Sequence, residues 1–269
     1  MENLSATAPI GAMLRAWRRQ RRRSQLDLAL DAEISARHLS FVESGRASPS
    51  RQMVLRLAEQ LAVPLRERNA LLLAAGYAPV YPERPLEHPA MGAARAVLDR
   101  LLEVHLPHPA LAVDRHWRML AAYRAVRPLI AMVEDPDLLT PPANVLRLSL
   151  HPRGLAPRIA NLAEWRAHLL ERLHRQAAAS GDPVLAALLA ELIALGPPPG
   201  RGSPALPSDP AESVLVPLRL ESPAGVLSLV STTTVFGAPA EVTLSELAIE
   251  AFYPADAETA ARLDRLLQA

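Results

Sequence analysis

At 269 residues, half of them hydrophobic, the chain is long enough for two domains, each with its own core. It has no cysteine, which excludes disulfides, thiolate metal sites and a thiol nucleophile, and suits a reducing cytoplasm. The formal net charge of +1 hides a division: residues 1–80 carry twelve arginines against seven carboxylates and the remainder seventeen against twenty-one, so a basic head precedes an acidic body, as in a nucleic-acid reader.

The first predicted element is a helix, because Ile10, Met13, Leu14 and Trp17 recur at i, i+3, i+4 and i+7. Arg18, one position further on, falls beside that apolar face and is expected to pair internally with Glu43. Arg15, Arg18, Arg19, Arg21, Arg22 and Arg23 lie within nine positions that contain no carboxylate. A charge run is commonly a solvated face; here, Arg18 apart, it is expected to attract phosphates without regard to base sequence. No apolar segment follows it, so a secretory signal is not expected.

Residues 24–51 then read as two short helices joined by a tight turn. Ser24 can cap the first, and Asp27 completes a capping-box pattern. The helix runs on through Leu28, Ala29 and Leu30, and the small Ala29 leaves room for a close crossing. Ser35 is the second cap, Leu39 and Val42 keep one face at a spacing of three, and Gly45 ends the helix. With Leu39 and Val42 turned inward, Ala36, Arg37, Ser40 and Phe41 face out. Arg37 can fork onto guanine, and Ala36 or Phe41 can touch a thymine methyl. Ser50 starts a fourth helix through Val54, Leu57, Ala58 and Leu61, and Pro64 opens a fifth that ends near Gly76.

On these caps, this turn and this spacing, residues 8–78 resemble the XRE family, the five-helix bundle of the lambda-repressor/Cro type. The resemblance implies that Gln25 anchors a DNA phosphate, that Arg37 and Phe41 face bases, and that Arg46 and Arg51 lie near the backbone. Ala36 departs from the polar residue that many members carry there. The plain alternative, a helical bundle used only for protein contacts, is opposed by the charge of the head.

After Gly76, Pro79, Pro82, Pro85 and Pro89 make a stiff stretch, and residues 81–108 read as a connector with a helix from His88 to Val104. Residues 109–269 form the second predicted domain. Short strands at Leu111–Val113 and Met119–Ala121 flank a turn at Asp114–His116, and helices follow at Ala125–Val133, Leu162–Ala179 and Pro183–Leu195. The last is interrupted by Glu191 and too short to span a bilayer. Gly196–Pro210 has loop composition. Strands are predicted at Val214–Leu220, Val226–Val235 and Val242–Phe252, and Asp256 caps a closing helix. The predicted fold class is α+β: an all-α head, then a small antiparallel sheet with a helical wall.

LRLSLHPRGLAPRIANLAEWRAHLLERL, STTTVFG and ELAIEAFYPADAETAARL resemble the MmyB-type ligand-binding domain over about residues 88–269. That resemblance implies a PAS-like fold with an apolar cavity for which fatty acids are plausible ligands. ALAVDRHWRMLAAYRAV resembles a PAS opening, with Tyr123 where Asn is usual. Trp117, Tyr123, Trp165 and Phe236 read as cavity lining or as ordinary core aromatics. Arg147, Arg158 and Asn161 lie among apolar residues and can bind an acid headgroup.

Signs of catalysis are weak. His105 and His108 are spaced like metal ligands but have no acidic or thiol partner, so no metal site is expected. His168 and His174, beside Glu164 and Glu171, suit a solvated helix face, and Ser231–Thr234 suits a strand. No nucleophile-elbow, phosphate-loop or dinucleotide fingerprint is present, and no cofactor is expected. The sequence thus predicts a cytoplasmic, dimeric regulator that reads a double-stranded operator and responds to an apolar, fatty-acid-like effector, without membrane attachment. Two other readings stay open: a second domain that only dimerises or docks a partner, and a DNA-tethered enzyme.

Overall fold

The computed structural model describes residues 8–196 and 215–268. They form two compact units: residues up to Pro85 together with Ala238–Ser245, and Leu86–Gly237 together with the remainder from Glu246. The connector helix therefore groups with the second unit, and one loop of the second half groups with the first.

The first unit contains α1 (Ile10–Gln20), α2 (Gln25–Asp31), α3 (Ala36–Glu43), α4 (Arg51–Gln60) and α5 (Leu65–Ala74). Three serines start helices as expected: the hydroxyls of Ser24, Ser35 and Ser50 accept the N–H groups of Asp27, His38 and Met53 at 3.0, 3.1 and 3.3 Å. Leu14, Trp17, Leu28, Leu39, Val42, Leu57 and Leu71 are buried in one core. Helix α1 meets the end of α3 so closely that a Cβ on Gly11 would lie 2.8 Å from the Glu43 carbonyl oxygen, so only glycine fits there.

The Arg18–Glu43 pair forms. Arg18 Nε donates to Glu43 Oε1 at 2.6 Å and Nη2 to Oε2 at 2.8 Å, while Nη1 donates to the Arg23 carbonyl at 2.9 Å. The Glu43 side chain is fully buried and that of Arg18 is 12% exposed. Gln25 Nε2 adds a bond to Oε2 at 2.7 Å, and Arg15 Nη2 donates to the Glu43 carbonyl at 2.8 Å. One carboxylate thus joins α1, α2 and α3. Burial pushes its pKa up, but the bonds from Arg18 and Gln25 and the charges of Arg18 and Arg15 outweigh burial and hold it below the ordinary carboxylate value.

The arginine run is largely fold chemistry, which corrects the expectation that Arg18 alone is internal. Arg21 donates to the carbonyls of Leu61 and Ala62 at 3.0 and 3.3 Å. Arg23 donates to the Gln60 carbonyl at 3.4 Å and pairs with Asp31. These cations satisfy orphan carbonyls at the negative end of α4. Arg19 and Arg22 remain exposed.

The second unit begins with α6 (Gly92–Val104), entered through a 3-10 turn at Pro89–Met91. Then come β1 (Ala110–Val113), β2 (Met119–Ala122), α7 (Arg127–Ile130), α8 (Val145–Leu150), α9 (Leu162–Ser180), α10 (Pro183–Ala194), β3 (Leu218–Ser222) and β4 (Gly225–Val235). After α11 (Val242–Ser245), which belongs to the first unit, β5 (Ala248–Pro254) and α12 (Ala257–Gln268) complete the chain. The five strands form one antiparallel sheet in the order β2-β1-β5-β4-β3, a PAS-like α+β arrangement. Asp256 caps α12 by accepting the Thr259 N–H at 2.7 Å.

Several predicted boundaries change. The strand expected from Val242 starts only at Ala248, because Glu241 accepts the Thr243 N–H at 2.9 Å and turns the chain into α11. The helix expected at Ala125–Val133 is a 3-10 turn at Arg124–Val126 followed by the short α7. Of the predicted loop Gly196–Pro210, only Gly196 is within the described residues, as is the predicted strand Val214–Leu220 from its second residue; there the strand starts at Leu218.

Candidate functional site

Two sites emerge, one in each unit. In the first, the outer face of α3 presents Arg37, exposed, with its guanidinium 5.4 Å from the centre of the Phe41 ring. The two residues are one helical turn apart, and stacking orients the guanidinium while leaving its N–H groups free for acceptors. Ser40 is half-buried, and Ala36 is half-buried against the bundle core, so its methyl is shared with the fold. Arg46 and Arg51 are exposed just beyond α3 and at the start of α4. Gln25 spends one amide N–H on Glu43, and the nitrogen carries a second.

If Arg37 reads a base, Arg37→Ala costs about 1–3 kcal/mol of operator affinity and relaxes one base position, whereas Arg46→Ala weakens all sequences alike. Binding-site selection with each variant checks this; an unchanged base preference in Arg37→Ala would remove Arg37 from the reading role.

The second unit contains a partly open cavity of about 100 Å³. Its wall is mainly aliphatic, with Leu111, Met119, Leu129, Leu148 and Leu218 among its residues. Space of this size exceeds the roughly 10–15 Å³ that one water needs. Of the seven residues proposed for ligand contact, Trp117 and Trp165 line it.

Trp117 closes the β1–β2 turn with a positive φ of 65°, unusual for a bulky residue. Asp114 enforces that turn, accepting the N–H groups of His116 and Arg118, both at 2.8 Å. The indole is fixed by Nε1–H donation to Gln176 Oε1 at 2.8 Å. Trp165 donates to Ser149 Oγ at 2.9 Å and stacks on His168 with centroids 5.7 Å apart. Burial, then the charges of Arg172 and Arg175, hold His168 below its ordinary pKa, and its half-buried ring backs the indole from the helix face.

The remaining five are elsewhere. Tyr123 precedes the 3-10 turn and packs under the Arg124 guanidinium at 5.8 Å. Arg147 leaves the wall for the surface, where it forks onto Glu191 at 2.7 and 2.6 Å. Arg158 is exposed. Asn161 ties α9 to β3: Nδ2 donates to the Pro217 carbonyl at 2.8 Å and to Glu164 Oε2 at 3.0 Å, and Oδ1 accepts the Arg219 N–H at 3.1 Å. Phe236 lies past the end of β4 and does not line the cavity.

The polar corner is made instead by Arg172 and Glu250, with Ser231 nearby in the lining. Arg172 Nη2 donates to Glu250 Oε1 at 2.7 Å and to Thr233 Oγ1 at 2.8 Å, and Nη1 to Oε2 at 3.2 Å. Its guanidinium lies 4.5 Å from the Trp117 ring centre, a cation–π contact. Each of the two has a sequence signal of its own, though their pairing has none. Arg172 follows Trp165 and Leu169 at helical spacing, and Glu250 alternates with Phe252 on the cavity side of an otherwise apolar strand.

Among the described residues no group of three or more His, Cys, Asp or Glu is placed to hold a metal ion. His105 Nδ1 lies 2.6 Å from the Tyr253 hydroxyl, which joins the end of α6 to β5.

Residues 94–266 match the family model described as the MmyB-like transcription regulator ligand binding domain, and residues 14–68 match a helix-turn-helix model. Comparison with curated proteins returns no match. The first match covers more than half of the chain and coincides with the unit that holds the cavity. The chain therefore belongs to the MmyB-like transcription regulators, DNA-binding proteins with a helix-turn-helix head and a ligand-binding domain.

Proposed function

We propose that this regulator reads its operator sequence-specifically as a homodimer in the cytoplasm, and that its second domain senses an apolar small molecule. The observation that carries the sensing is the cavity, lined by aliphatic and aromatic side chains except where Arg172, Glu250, Ser231 and Ser149 reach it. Apolar walls with a few convergent polar groups are the usual form of a small-molecule site. A fatty-acid-like molecule suits that form, its tail among the leucines and its head towards Arg172 and Ser231. Arg172 and Glu250 satisfy each other, which favours binding over catalysis.

The dimer follows from how such heads dock: two reader helices on half-sites about 34–36 Å apart. Effector binding then alters the order or spacing of the heads, which requires the effector to favour one arrangement over the other. No helix among the described residues is long and apolar enough to cross a membrane.

Thermal melts of the full chain with n-alkanoic acids of eight to fourteen carbons test the sensing. A bound acid stabilises by about 2.7 kcal/mol at a hundred times its Kd. Ser231→Phe, which occupies the cavity, should abolish the shift. No shift at any chain length, or an equal shift in the filled variant, contradicts the assignment. One observation favours a second reading: Val97 and Val104, seven residues apart on α6, are 50% and 75% exposed. A second domain that only joins copies would show concentration-dependent dimerisation and take up no probe.

A further inference from the structure

The loop between β4 and β5 does not group with the sheet it connects. The chain leaves the second unit after Gly237 and re-enters it at Glu246, and the residues between belong to the first unit. From Phe236 to Leu247 the link is twelve residues long, where hairpin loops commonly take about 2–5.

Within the first unit this segment clasps the stretch that follows α5. Glu241, 7% exposed, accepts the Arg84 N–H on Oε1 at 2.7 Å and the Thr243 N–H on Oε2 at 2.9 Å. Thr243 Oγ1 donates to the Arg84 carbonyl at 2.6 Å, and the Val242 N–H donates to the Pro82 carbonyl at 2.9 Å. Val242 itself is fully buried. A buried carboxylate is costly unless hydrogen-bonded, so the segment is built for this partner and not only to close a hairpin. The clasped stretch is in turn stitched to α5. Asn69 Oδ1 accepts the N–H groups of Val80 and Tyr81 at 3.0 and 3.1 Å, and Nδ2 donates to the Tyr81 carbonyl at 2.7 Å.

At its other end the segment continues directly into the cavity wall. Thr233 pairs with Glu250 across β4 and β5, and Val235 pairs with Ala248 at the mouth of the loop. Ser231, Glu250 and Phe252 line the cavity, and Arg172 bonds both Glu250 and Thr233.

We propose that residues 238–245 are the coupling element of this regulator. Cavity occupancy, registered where Arg172 holds Glu250 and Thr233, is carried along β4 and β5 into the clasp on Pro82–Arg84, and through α5 to the DNA-reading bundle. The proposal rests on the cavity being the effector site.

A cycle of four full-length proteins tests it without an identified effector: wild type, Glu250→Gln, the clasp variant Glu241→Ala/Thr243→Val, and their combination. The readout is the Kd for a duplex selected from a random-sequence pool by the wild type. With the clasp intact, Glu250→Gln is expected to change that Kd by about fivefold or more, the range of allosteric coupling. With the clasp released, the same substitution should change it less than about twofold. An equal change in both backgrounds, or none with the clasp intact, overturns the proposal. If the double clasp variant does not fold, Thr243→Val alone serves, with a smaller Glu250→Gln effect than in the wild-type background expected and an unreduced one contradicting. Dodecanoate binding to the same proteins separates the two ideas: failure to bind any of them overturns the cavity assignment, while the cycle still decides the coupling.

Discussion

Replacing Arg18 with alanine is expected to destabilise the DNA-binding domain by about 3–5 kcal/mol, the cost of stripping a buried ion of its partner. The Glu43 carboxylate would keep Gln25 and the more exposed Arg15 but lose both bonds from Arg18 in a fully buried position. For a domain of this size, the melting temperature falls by at least about 12 °C. Because Glu43 sits at the end of α3, the helix proposed to read bases, operator binding is expected to fall with it. The effect depends on pH in a defined direction. The pKa of Glu43 is depressed in the fold, so its contribution is present above the ordinary carboxylate pKa and is lost as pH falls through the depressed value. Calorimetry on the wild type and Arg18→Ala at neutral and acid pH checks both points. Converting the pair to apolar residues together, Arg18→Met/Glu43→Leu, should restore much of the loss, since replacing both partners avoids an orphaned charge. A neutral melt for Arg18→Ala would mean that the ion pair does not stabilise this bundle.

Trp165→Ala is the second large effect, expected at about 3–5 kcal/mol for a truncated core tryptophan. The side chain is 4% exposed, packs in the main core of the second unit and forms part of the cavity wall. Truncation also leaves Ser149 without its indole donor and His168 without its stacking partner. The enlarged cavity should accept a longer alkanoic acid than the wild type does. Equilibrium denaturation and the melt series described above measure the two consequences. An undiminished stability would mean that the indole packs loosely.

What the sequence makes legible is mostly local. The caps at Ser24, Ser35 and Ser50, the α1 stripe and the inward turn of Leu39 and Val42 all depend on residues within one or two helical turns. Arg18 and Glu43 are 25 residues apart, and their pairing could still be anticipated because both sit beside predicted buried faces. The cavity is different. Arg172 and Glu250 are separated by 78 positions and meet only through the packing of α9 on the sheet, which no local pattern encodes. Arg147 and Asn161 attract notice for the right reason, being polar among apolar residues. Each is satisfied outside the cavity, by Glu191 and by the β3 backbone. The arginine run misleads in a similar way: its charge is plain, but the carbonyl ends of α4 that take up Arg21 and Arg23 lie some forty residues on. Residues 242–245 read as strand because their side chains suit one, and become a helical turn because Glu241 caps it.

In the proposed function, α3, with Arg37 stacked on Phe41, makes this chain a sequence-specific reader. Competition binding of the full chain to a selected duplex against a scrambled duplex of equal length, at physiological salt, tests it most directly. A preference of about a thousandfold or more is expected, the lower range for specific regulators. Equal affinity for the two duplexes would contradict it.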